Sequence, residues 1–155
     1  MDNHTIEQRH YNMAQIKSKD TVPELLIRKK LWHKGLRYRL HKDDLPGKPD
    51  IVFIKYKAIV FIHGCFWHGH IGCSHFKLPV SNIDYWTKKI ESNRERDGIV
   101  LNNLRANGWR ICIVWECAIK GKNQLSIIDE TIQKVYNWVL SDSIWLEVTN
   151  NEYNK

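Results

Sequence analysis

Apolar residues fall along this chain in short continuous runs and in helical stripes. "DIVFI" (50–54) and "AIVFIH" (58–63) flank a Lys-Tyr-Lys turn and predict a hairpin of two mostly apolar strands. "WRICIVWE" (109–116) predicts a further buried strand. Leu36, Tyr38 and Leu40 alternate with Arg37, Arg39 and His41, the pattern of a half-exposed strand. Asp20 or Thr21 caps a helix with Pro23 in its first turn and Gly35 after its end. Ser81 or Asn82 opens a long helix that runs to about Asn107 and stops at Gly108, with a break allowed at Gly98. Its core contacts are expected to be Trp86, Ile90, Val100, Leu101 and Leu104. Leu125 to Leu140 is a final amphipathic helix, and Ile6 to Lys17 a short first one with few apolar anchors. Strands clustered before a long helix, with one more strand after it, predict an α/β fold: a mixed sheet with helices packed on it.

The 155 residues suit one domain, 1–155, with 1–19 as an arm and 141–155 as a tail of unassigned pattern. Trp145 is expected to pack back on the domain. Four cysteines are too few for a secreted disulfide framework. The polar opening and the absence of a long apolar run predict no targeting leader and no membrane span, hence a cytoplasmic protein. Net charge is +7, and eight Lys/Arg stand against Asp43 and Asp44 between Arg28 and Lys48. A basic face of this kind attracts a polyanion such as DNA or RNA, the plain alternative being a solvated surface.

"FIHGCFWHGHIGC" (61–73) follows the second apolar strand and cannot all be core. Thiolate and imidazole are the ligands zinc prefers, and glycines 69 and 72 let a loop fold around an ion. Cys65, His70 and Cys73 are the candidate ligands, with Cys117 closing a Cys3His site if its strand lies beside the 58–63 strand. His68 and His75 are alternatives to His70. A four-ligand site is closed, so this zinc would be structural. Ordinary apolar packing is the competing reading and fits Cys112 in mid-strand.

Asp50 and His63 stand at strand ends, where a carboxylate can hold Mg2+ together with waters and phosphate oxygens. With His70 as ligand, His68 is not needed for the zinc and can take a proton from water. Glu24 and Asp97 are candidate outer acids that orient a histidine or a metal-bound water, although Asp97 in "ERD" is also placed to pair with a basic neighbour on its helix. Phe66 and Trp67 are candidate wedges between base steps, a device that favours an easily unstacked mismatch, with Met13 a wedge from the other side and Trp86 a support for the pocket. A mini-core over the zinc is the alternative for Phe66 and Trp67, and the domain core for Trp86.

Taken together, "YNMAQIKSKDT", "LPGKPDIVF", "VFIHGCFWH", "HFKLP", "NRERD" and "GWRICIVWECAIKG" resemble the very short patch repair (Vsr) DNA mismatch endonucleases from about Tyr11 to Gly121. The resemblance implies a restriction-endonuclease-like fold. It also implies an enzyme that nicks one strand of duplex DNA 5′ to the thymine of a T·G mismatch, the product of 5-methylcytosine deamination. By motif match Asp50 holds Mg2+, His68 is the base, and His63, Glu24 and Asp97 support them. Cys65, His70, Cys73 and Cys117 match the structural zinc site. Phe66, Trp67 and Trp86 match the intercalating platform, and Met13 the wedge of the arm. The expected partners are mismatched duplex DNA, other mismatch-repair proteins and a cytosine methyltransferase system, with a monomer near the nucleoid.

Three features depart from simple expectation. The strand after Asp50 ends "FIH" and lacks the acid-x-Lys pair of many relatives of the wider fold, an oddity that Vsr proteins share. Ile62 stands where the family can carry Thr; a metal contact through its backbone carbonyl tolerates the change. "HGHIGC" is one residue longer than the usual His-rich loop. The rival readings are a non-catalytic zinc module that binds mismatched DNA, a Vsr-like nuclease that cuts another structure, and a zinc base deaminase. The last lacks its His-x-Glu and Pro-Cys-x-x-Cys motifs here.

Overall fold

The computed structural model describes residues 22–120 and 124–150. The expected Ile6–Lys17 helix and Met13 lie outside them. In chain order the elements are α1 (Val22–His33), β1 (Arg39–Leu40), β2 (Ile51–Phe53), β3 (Ala58–His63), α2 (Ile83–Ala106), β4 (Arg110–Trp115), α3 (Gln124–Leu140) and β5 (Trp145–Val148). The five strands form one mixed sheet in the order β1-β2-β3-β4-β5. The first two pairings are antiparallel, and β3–β4 and β4–β5 are parallel.

Both faces of the sheet are covered, which explains why β3 and β4 read as unbroken apolar runs. Ala58 and Val60 of β3 and Cys112 and Val114 of β4 pack with Ile27 and Leu31 of α1 and Ile128, Ile132 and Val135 of α3. The alternate residues Ile59, Phe61, Ile111, Ile113 and Trp115 pack on the other face with Leu104, Val100 and Leu101 of α2. Arg110 pins the end of α3: its guanidinium donates to the Val139, Trp138, Ser143 and Tyr56 carbonyls at 2.8–3.1 Å. The chain leaves that anchor directly into β5.

The hairpin, the long helix, the 110–115 strand and the last helix stand where the pattern predicts them. Two elements differ. The expected 36–41 strand shrinks to Arg39–Leu40, because β2 is itself three residues long and His41 turns the backbone to φ 45°. The stretch 145–148, which the pattern left unassigned, is the edge strand β5. Asn82 does precede α2, but in a left-handed conformation and without a side-chain cap.

Gly98 does not break α2, which runs unbroken through it. A methyl group there meets nothing within 4 Å, and the residue is exposed. Gly98→Ala should therefore stabilise the protein by about 0.5–1 kcal/mol, through the entropy glycine loses in a helix. Urea unfolding would measure this; a loss of stability would mean that the helix is strained at this point.

Candidate active site and metal centre

The strand directions bring distant residues to one end of the sheet. Since β2 runs antiparallel to β3, the start of one lies beside the end of the other. Asp50 precedes β2, and its Oδ2 accepts the Ile62 backbone N–H at 2.7 Å. His63 ends β3 in register with Trp115, the last residue of β4. Glu24 lies on the same helical stripe as Ile27 and Leu31 and is only 2% exposed. Its Oε2 is 3.7 Å from His41 Nε2, and Glu24, His41 and Asp50 together offer ligand atoms within 4.8 Å of one another. Burial, followed by the hydrogen bond and like charge of Glu24, pushes the Asp50 carboxyl up to about 8.

His68 faces Asp50 across a cavity of about 610 Å3 that both residues line, together with His63, Asp97, Lys48 and Arg96. His68 Nδ1 lies 2.6 Å from Asp97 Oδ2. So Asp97 pairs with the loop histidine and not with a basic neighbour on its own helix. The His63 and His68 rings stack at 3.8 Å, with their planes 3° apart. Burial, then the neighbouring His68, pushes the His63 imidazole down to about 3, so it is neutral at physiological pH.

The loop 64–76 closes in successive turns: His68 N–H donates to Gly64 O, His70 N–H to Cys65 O and Phe76 N–H to Cys73 O, at 2.8–3.1 Å. Gly69 takes a φ of 62°, and a Cβ there would collide with Arg94 and Ile90. Helix α2 holds this loop in place. Asn93 donates to the Trp67 carbonyl at 2.9 Å, and Arg94 Nε to the Gly69 carbonyl at 3.1 Å. Ile90, Asn93, Arg94, Asp97, Leu101 and Leu104 share one helical face, so the stripe that fills the core also clamps the loop.

Cys65, His70, Cys73 and Cys117 place their sulfurs and one imidazole nitrogen within 4.8 Å of one another, a set that could hold a metal ion. His70 takes the imidazole position, while His68 is on Asp97 and His75 Nδ1 stands 3.7 Å from Cys73 Sγ. The Cys117 N–H donates to Cys65 Sγ at 3.4 Å. A hydrogen bond from Cys65 pulls the Cys117 thiol down to about 5, and the same bond together with burial pushes Cys65 up. Cys112 is fully buried in mid-strand, in the apolar role expected of it.

Phe66, Trp67 and Trp86 are half-buried and meet edge to face, with ring centres 5.2–5.9 Å apart. They join one aromatic cluster, which Tyr85 and Phe76 extend.

The family described as DNA mismatch endonuclease Vsr matches residues 1–74. The Type II nicking enzyme V.XorIIP of Xanthomonas oryzae pv. oryzae is 51% identical over 113 residues, which is 73% of this chain and 82% of that protein. This chain belongs to the Vsr family. DNA mismatch endonuclease Vsr of Escherichia coli K12 is 38% identical over 142 residues, 91% of this chain and 89% of that protein. The Type II nicking enzyme V.NmeAIP of Neisseria meningitidis is 48% identical over 118 residues, 76% of this chain and 84% of that protein. The mixed sheet with its flanking helices is the restriction-endonuclease-like fold of the Vsr family.

Sequence reasoning passed over His41, Asn93 and Arg94. Asn93 and Arg94 were detectable, because they fall on the stripe that carries Ile90 and Asp97. His41 stood in an expected strand and gave no sign of Glu24.

The raised Asp50 carboxyl has a consequence for stability. An acid raised in the folded state costs nothing below its unfolded value of 3.8, and costs progressively more as pH rises toward about 8. Asp50→Asn keeps an oxygen for the Ile62 N–H and removes the charge. It should stabilise the metal-free protein by on the order of 2 kcal/mol near pH 8, with the gain vanishing near pH 4. Thermal unfolding across that range is the check; a gain independent of pH would show that charge burial is not the cause.

Proposed function

We propose that this protein is a DNA nicking endonuclease that cuts one strand of a duplex 5′ to the thymine of a T·G mismatch and so starts very short patch repair. The observation that carries this reading is that the Asp50 carboxylate and the His68–Asp97 pair face the same cavity. A module that only binds DNA has no use for a histidine oriented by a carboxylate. The names of the relatives supply the reaction class: mismatch endonuclease for one, nicking enzyme for the others.

Asp50 is suited to hold Mg2+. It is an oxygen donor whose charge is costly without a cation, with Glu24 beside it and the Ile62 backbone at hand. A cation held there would neutralise charge on the scissile phosphoryl group and acidify a bound water. His68 removes the proton from the attacking water through Nε2, while its Nδ1–H donates to Asp97. Asp97 keeps the ring oriented and stabilises the imidazolium that forms. Neutral His63 stacks on that ring and fixes its plane without adding charge. The water oxygen joins phosphorus as the bond to O3′ breaks, and the departing O3′ takes a proton from solvent water, leaving a 5′-phosphate and a 3′-hydroxyl. Lys48 and Arg96 at the cavity wall would hold the phosphates on either side.

The three cysteines and His70 are the donor set of a structural zinc site, with no position left open for substrate. The ion would fix the loop that carries His68. Phe66 and Trp67 lie between a zinc ligand and the base, so a wedge and a proton acceptor sit on one rigid loop. Inserted beside a T·G pair, the aromatic group would part a step that unstacks cheaply. Met13 is proposed as the wedge from the opposite groove. Mismatched DNA is the proposed partner, together with other mismatch-repair proteins and a cytosine methyltransferase system; the proposed state is a monomer.

A labelled duplex panel tests this reading: T·G mismatches in varied flanking contexts, with fully paired controls and Mg2+. The expected result is a single-strand cut 5′ to the mismatched thymine that disappears in Asp50→Ala. Mismatch binding without a cut in any context or with any divalent metal would favour the binding module. Cutting with no preference for the mismatch would leave a nuclease of another specificity.

A further inference from the structure

Strand β5 and the two residues after it reach back to the Cys/His cluster. Thr149 Oγ1 lies 3.4 Å from Cys117 Sγ and 3.4 Å from His70 Nε2, so it bridges two of the four candidate ligands. The other nitrogen of the same ring, Nδ1, faces the sulfurs and stands 3.6 Å from Cys117 Sγ. The Asn150 backbone N–H donates to Cys117 Sγ at 3.5 Å. Two residues before Cys117, at the end of β4, the Trp115 ring stacks on His70 at 4.0 Å with planes 2° apart. The Trp115 indole N–H in turn donates to Glu147 Oε1 of β5 at 2.6 Å.

We propose that Thr149 is a positioning residue of the metal centre, relaying a hydrogen bond from the His70 imidazole to the Cys117 thiolate. A threonine hydroxyl can accept one hydrogen bond and donate another. Here it accepts Nε2–H and donates its own proton toward sulfur. That order fixes the tautomer of His70: the proton is on Nε2, and the Nδ1 lone pair is left for the ion. It also lowers the charge density on a thiolate held in a buried cluster. Histidine ligands of metals generally present their second ring nitrogen to such a partner. Glu147, through Trp115, holds the plane of the same ring. The last strand of the sheet thus shapes a site whose ligands all come from earlier in the chain.

This inference rests on the reading of the cluster as a zinc site, and the experiment separates the two. The full-length protein is loaded with Zn2+, and its affinity is measured by competition with a chromophoric chelator. Co2+ loading supplies a second readout, the thiolate-to-cobalt absorption. Thr149→Val keeps the shape of the side chain and removes the hydroxyl; Thr149→Ser keeps the hydroxyl. The expected result is a roughly 10–100-fold weaker Zn2+ affinity and a shifted cobalt band for Thr149→Val, with Thr149→Ser close to wild type. Equal affinity and an unchanged band in Thr149→Val would overturn the inference while leaving the zinc site in place. If Thr149→Val does not fold, Thr149→Ser against Thr149→Ala gives the same contrast, and equal losses in both overturn it. A wild-type protein that binds neither metal would overturn the zinc reading itself, and this inference with it.

Discussion

The parallel pairing of β3 with β4 is the constraint on which the rest of the structure depends. Six register positions, from Ala58↔Arg110 to His63↔Trp115, align the carboxyl ends of the two strands, and so bring together Cys117 and His70, which stand 47 residues apart in the chain. The backbone leaves β3 into the loop of Cys65 to Cys73, and leaves β4 into the turn that carries Cys117. Their proximity creates the Cys/His cluster, which could hold a metal ion, without any long-range motif in the sequence. The antiparallel β2 then delivers Asp50 to the same end, since its start lies beside the end of β3. Ligand sites outside the carboxyl ends of sheet strands are the rule in α/β folds, and this one follows the same geometry.

Helix α2 links stability to chemistry. Its buried stripe alternates core residues with polar ones, and a polar group facing the interior is tolerated only when it is paired. Asn93 and Arg94 satisfy loop carbonyls, and Asp97 takes His68. Three consecutive loop residues, Trp67, His68 and Gly69, are therefore fixed by three side chains of one helix. The opposite wall behaves differently. Glu24 and Asp50 bring two carboxyl groups into one buried place, an arrangement that favours a bound cation over stability of the empty fold.

Much of this was legible in the sequence. Continuous apolar runs announced a sheet buried on both faces, and the loop of residues 61–73 was too rich in Cys, His and Gly to be core. Its cysteines and His70 do meet Cys117, and Asp50, His63, His68 and Asp97 share a cavity. What escaped depended on contacts distant along the chain. "WLEV" is short and its strand character comes from pairing with β4, a tertiary effect that local pattern does not carry. Thr149 meets Cys117 and His70 from positions 32 and 79 residues away. The strand expected at 36–41 failed for a local reason, the left-handed turn at His41, and that turn places the His41 ring near Glu24.

His68, oriented by Asp97, is the proposed proton acceptor in strand cleavage. The most direct test is a single-turnover nicking measurement at saturating T·G duplex on wild type, His68→Ala and Asp97→Asn, with duplex affinity measured alongside. The expected result is unchanged binding and a cleavage rate reduced about 10²–10⁴-fold in His68→Ala, with a loss in Asp97→Asn as well. Cleavage by both variants at the wild-type rate would contradict it, and would move the proton acceptor away from this pair.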